Sequence, residues 1–136
     1  MRARLAVLML ASVTCFAGQK VTFFDTWEPQ PALLDLWRPM CECWWENGQG
    51  MHSPQVAAHF KDYARHNSPE AIVPQIFADL KRHDTDFVET AYTFLLAEWP
   101  RNEVLRLLEP YRHSADPKVR RIATLFHNNI AEWKGG

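Results

Sequence analysis

Met40 to Trp45, MCECWW, sets two thiols one residue apart beside two adjacent indoles. Two thiols that close could hold a metal, exchange electrons or form a bridge. In a helix, neighbours in space are three or four residues apart. That spacing puts Met40, Cys43 and Trp44 on one face and Cys41 with Trp45 on another, so the thiols point apart. A bridge between Cys41 and Cys43 would need a non-helical turn and a strained ring, although an oxidising compartment favours it. A thioredoxin-type site wants two intervening residues in a strand-to-helix setting, and neither is present. Free thiols, a Cys41–Cys43 disulfide, an intermolecular bridge and thiol or metal handling all stay open, with free thiols leading.

Other chemistry is sparse. His52, His59 and His66 are spaced by seven, so His59 and His66 share a helix face but stand about 10 Å apart, too far for one metal ion. His66, His83 and His113 fall near expected helix C-termini, where a partial positive charge suits the dipole. There is no Gly-rich phosphate loop, no nucleophile elbow and no HExxH. Glu42 and Glu46 are four apart, the spacing of a solvated helix edge. The expectation is a non-enzyme without a cofactor or bound metal. Tryptophan is the stronger lead: the chain has six, and Trp37, Trp44 and Trp45 cluster just before the Gly-rich loop that leads to Met51. Trp dominates binding hot spots because it buries a large area at small entropic cost. Trp37, Trp44, Trp45 and Met51 are therefore the expected contact surface, the competing role being a cap on the open end of the core.

The N-terminus, MRARLAVLMLASVTCFAGQK, has two arginines, an uncharged run from Leu5 to Phe16 and small residues at minus three and minus one for cleavage after Ala17. This is the pattern of a secretory signal peptide over residues 1–17. Lipid anchoring at Cys15 is the weaker alternative, since Ser12 stands where an aliphatic residue is wanted. No stretch approaches the roughly 20 apolar residues of a membrane span. Losing Arg2 and Arg4 with the leader lowers Lys+Arg from 15 to 13 against 16 acidic residues, a net charge of −3 with His neutral. A nucleic-acid partner would want a clustered basic face, so none is expected. The expected compartment is the periplasm or the exterior.

These groups must be positioned by helices. Residues 18–30 suggest an extended arm, and from Pro31 to residue 134 the spacing is helical, in one domain. The expected pieces are Ala32–Trp37, halted by Pro39; Pro39–Glu46; His52–His66; Glu70–Arg82; Phe87–Trp99; Glu103–His113; and Lys118–Trp133. Ser53-Pro54, Ser68-Pro69 and Asp116-Pro117 carry the cap-then-proline order of a helix start, and Thr85-Asp86 also places a cap. No strand run competes, so the expected class is all-α.

The last four helices repeat. An offset of 31 pairs Val73 with Val104, Ile76 with Leu107, Phe77 with Leu108, Leu80 with Tyr111, Val88 with Val119, Phe94 with Leu125 and Leu95 with Phe126. Two hairpins that cannot each bury an apolar face would stack. DPKVRRIATLF (116–126) resembles the second helix of a HEAT-type repeat through Asp116, Val119, Arg120 and Ala123, and AIVPQIFADL (71–80) is similar to the first through Pro74. The earlier hairpin departs from that pattern, with Glu89 in place of the Arg and Tyr92 in place of the small residue. The resemblance, over about residues 69–131, implies a short right-handed array of antiparallel hairpins, a HEAT-like α-solenoid of about five to six helices. It also implies a surface for other proteins. The resulting expectation is an exported helical-repeat protein that binds another protein, as an inhibitor or immunity-type protein for a periplasmic toxin or hydrolase. A thiol- or metal-handling protein using Cys41 and Cys43 and a structural subunit of an envelope complex are the alternatives. The sequence sets neither the partner nor the oligomeric state.

Overall fold

The computed structural model describes residues 28–40 and 53–134, and within them the chain is all-helical. A 3-10 turn at Pro31–Leu33 leads into α1 (Leu34–Pro39), followed by α2 (Pro54–His66), α3 (Pro69–Arg82), α4 (Asp86–Leu96), α5 (Arg101–Arg112) and α6 (Pro117–Ala131). Four starts are built as their sequences dictate. Ser53 Oγ accepts from Val56 N–H, Ser68 Oγ from Ala71 N–H, Thr85 Oγ1 from Val88 N–H and Asp116 Oδ1 from Lys118 N–H, at 3.1, 3.3, 3.2 and 2.9 Å. Prolines at the first positions of α2, α3 and α6 lose no hydrogen bond there, because those N–H groups have no partner within the helix.

Two expectations about helix ends change. Pro39 does not halt the first helix: α1 includes it, and Met40 beyond it keeps helical angles (φ −69°, ψ −40°) and donates to Trp37 O. Leu36, Trp37 and Met40 are all fully buried. Their burial outweighs the local bias of a pre-proline residue against helix. Further along the chain, α4 stops at Leu96 instead of running to Trp99. There Ala97 N–H donates to Thr93 O, but Glu98 and Trp99 shift to bonds three residues back, and the Trp99 indole donates to Ala64 O and Asn67 O at 3.1 and 3.0 Å. Anchoring that ring against α2 turns the chain before Pro100.

α3 packs on α4 and α5 on α6; across these pairs α3 meets α5 and α6, and α4 meets α6. On the other side α2 lies against α4 and α1, and the 3-10 turn rests on α3. One core runs through all of them. Its central junction is Phe77, stacked on Tyr111 at 4.1 Å and 11° and meeting Phe126 edge-on at 6.0 Å and 63°. Burial matches across the offset of 31 in five of the seven pairs, while Ile76 and Leu80 are buried and Leu107 and Tyr111 half-buried. Both members are buried in the pairs Val73 and Val104, Phe77 and Leu108, Val88 and Val119, and Leu95 and Phe126, whereas neither Phe94 nor Leu125 is. No helix among the described residues is long and apolar enough to cross a membrane.

Candidate functional site

Three side-chain groups outside the plain apolar core have chemistry to offer. The first is a buried polar chain. Trp37 Nε1–H donates to Tyr92 Oη at 2.9 Å, Tyr92 O–H donates to Asp79 Oδ2 at 2.8 Å, and the backbone N–H of Gln30 donates to Asp79 Oδ1 at 2.8 Å. Asp79, Trp37 and Tyr92 are fully buried. Burial first, then the charge of Asp79, pushes the Tyr92 phenol well above its ordinary range, so its proton stays in place to donate. Nearby, Tyr63 O–H donates to Ala32 O at 2.5 Å, and burial with the charges of Asp35 and Asp79 pushes that phenol up to about 12. These bonds fasten residues 30–37 to α2, α3 and α4. Their chemistry is that of a staple, not of proton transfer near neutrality.

A second group joins the α3–α4 turn and α4 to α6. Arg121 Nη2 donates to Asp84 Oδ2 at 3.0 Å and to Glu89 Oε2 at 3.3 Å, and Lys118 Nζ stands 4.0 Å from Asp84 Oδ2. The Glu89 side chain is 8% exposed and that of Asp84 12%, while Arg121 is half in water. Burial, and then the hydrogen bond and charge of Asp84, raise the Glu89 carboxyl to about 7 against the opposing pull of Arg121. Asp84 Oδ1 is buried and receives no donor from the charged groups around it. A proton held by Glu89 lets the two carboxyls share a hydrogen bond where two bare charges would repel.

The third is a groove of about 370 Å³ in which Thr90, Thr93 and Phe94 of α4 oppose Asn129, Glu132 and Trp133 at the end of α6. Trp133 meets Phe94 edge-on at 5.2 Å and 82°, and Phe94 lies 6.4 Å from Phe60 of α2. Arg101, at the first position of α5, donates to Ala131 O at 3.5 Å and to Trp133 O. A cation at a helix N-terminus opposes its own dipole, but here it serves the C-terminal carbonyls of α6. Its effect is to fix the backbone that carries Trp133.

Of the expected contact residues, Trp37 lies fully within the core, its N–H held by Tyr92 and its ring 5.5 Å from that of Tyr92. A ring so placed offers no surface to a partner, which corrects its assignment as a contact. Trp44, Trp45, Met51, Cys41 and Cys43 lie outside the described residues. Asp79 was not among the expected site residues, although Ile72, Ile76, Asp79 and Leu80 share the apolar helical spacing, and a carboxylate there demands buried donors. Nor was Trp133, half-buried at the groove. His66, His83 and His113 do stand at helix ends, as the last residue of α2 and the C-caps of α3 and α5. Among the described residues no group of three or more His, Cys, Asp or Glu is arranged to hold a metal ion. Comparison of the chain with protein-family models, curated proteins and solved structures finds no match.

Proposed function

We propose that the chain is an exported helical domain that works by binding another protein, as an inhibitor or immunity-type protein for a periplasmic toxin or hydrolase. The leader-like residues 1–17 support export. The groove between α4 and α6 carries the binding reading: it sets two aromatic rings and an amide in a fixed open cleft, the composition that binding hot spots favour. The packing of α3 on α5 and of α4 on α6 supports a HEAT-like stack of hairpins, an architecture that presents extended faces to partners. Trp44, Trp45 and Met51 supply a second contact in this proposal.

Site-specific photocrosslinking in the secreted full chain tests it. A photoreactive residue at Asn129 should capture one protein, identified by mass spectrometry as an envelope toxin or hydrolase. The same residue at exposed Ala71 on α3 should not. Equal capture from both positions, or capture from neither, removes the groove as the contact surface.

A further inference from the structure

We infer that the α4–α6 groove is a binding site for an extended, proline-bearing peptide segment. The inference rests on the protein-binding reading and names the chemistry of what is bound. Its first support is an inventory of donors. Of the three described tryptophans, Trp37 gives its N–H to Tyr92 and Trp99 gives its N–H to Ala64 O and Asn67 O. Trp133 gives its indole N–H to nothing among the described residues, and the Asn129 amide likewise has no partner there, although both line the groove. Lys134 at the rim adds an ammonium. A half-buried cleft that keeps donors unspent is suited to a ligand that brings acceptors.

The remaining polar groups narrow the class. Thr90 and Thr93 already donate their hydroxyl protons to Asp86 O and Glu89 O, at 2.8 and 3.0 Å. The groove's donors are therefore Trp133, Asn129 and Lys134, set against an aromatic wall of Phe94 and Trp133. A polyproline II segment matches that set, since its carbonyls are free of internal hydrogen bonds and its prolines bring no N–H needing an acceptor. Pyrrolidine rings pack against aromatic walls, and the stiff backbone loses little entropy on binding. A sugar would bring as many hydroxyl donors as acceptors, and Glu132 is the one carboxylate in the lining to receive them. Glu132 and Lys134 contribute one charge of each sign, so binding should depend only weakly on salt. Because Arg101 holds the Ala131 and Trp133 carbonyls, the aromatic wall stands ready before the ligand arrives.

The test is a titration of the isotope-labelled full chain with acetylated decaproline, with a decaserine peptide and tri-N-acetylglucosamine as comparators. The Trp133 indole and Asn129 side-chain signals should move on adding decaproline, with little change between low and physiological salt. Trp133→Phe, which keeps a ring and removes the N–H, should weaken binding about tenfold, the effect of one hydrogen bond lost at a bound carbonyl. Ala71→Ser, at an exposed position of α3 outside the groove, should bind as the parent does. No movement with decaproline, equal movement with decaserine, or a response to the trisaccharide in its place overturns the inference. Selective capture at Asn129 in the crosslinking experiment would survive any of these, so failure of the peptide class and failure of the protein-binding reading are told apart.

Discussion

Asp79 and Glu89 are both acidic and both buried, yet they meet their surroundings in opposite ways. Asp79 receives donors from Tyr92 and from the backbone of Gln30, one on each carboxyl oxygen. Removing the Tyr92 hydroxyl would take one hydrogen bond from Asp79 Oδ2 and one from the Trp37 N–H together. Tyr92→Phe should therefore destabilise the fold by about 1–3 kcal/mol, and a double-mutant cycle with Trp37→Phe in urea should show coupling of at least about 0.5 kcal/mol. Additive losses would mean the two groups do not share a bond worth having. Glu89 faces another carboxyl, and its folded pKa is raised from 4.5 to about 7. A raised acid binds its proton more tightly folded than unfolded, so its contribution is complete below pH 4.5 and is lost as pH rises through about 7. The urea midpoint should fall over that window by an amount equivalent to about 1–3 kcal/mol, and Glu89→Gln should flatten the slope. The residues that depart from the repeat pattern, Glu89 and Tyr92, are the members of these two clusters. What the sequence withholds is the partner: nothing near residue 89 announces Arg121, because the contact is made between α4 and α6, 32 residues apart.

Helices were the legible level. Apolar spacing and the Ser, Thr and Asp caps place α2 to α6 within a few residues, since both signals are local. Ends governed by tertiary contacts were not legible, as α1 shows by running through Pro39 and α4 by stopping where the Trp99 indole binds α2. Caps carry their own prediction: Thr85→Ala or Asp116→Ala should each cost about 0.5–2 kcal/mol in thermal or chemical unfolding. Pro74 offers the reverse case. It sits inside α3, exposed, and leaves the Glu70 carbonyl without its helical N–H. Pro74→Ala restores that bond at little packing cost. The gain of about 3 kcal/mol expected for a helix interior is partly offset by the looser unfolded chain, so a net stabilisation of about 1–2 kcal/mol should appear in the urea midpoint. A loss of stability would show that the helix needs the irregularity proline imposes there.

Across the molecule, the two C-terminal hairpins are joined by aromatic contact, by the Arg121 and Lys118 ties to Asp84, and by the Arg121–Glu89 and Arg106–Glu70 pairs. The cations of these ties, Arg121 and Lys118, stand 57% and 40% exposed, where an ion pair adds little, so the apolar junction carries most of the coupling. Phe77 is its pivot, with Tyr111 on one side and Phe126 on another. Phe77→Ala should cost about 3–5 kcal/mol, the loss of buried ring surface plus a cavity that helices from both hairpins line. The stronger test concerns cooperativity. With α5 and α6 removed after Trp99, Phe77 loses both of its ring partners, and the face of α3 that meets α5 and α6 is turned to water. That loss of covered apolar surface should leave the remainder unable to offset its chain entropy. The full chain should unfold in one transition seen alike by far-ultraviolet dichroism and tryptophan fluorescence, whereas a chain ended at Trp99 should melt without a cooperative step. A sharp transition in the shortened chain would show that the first hairpin folds by itself, and that the aromatic junction joins two independent units instead of completing one.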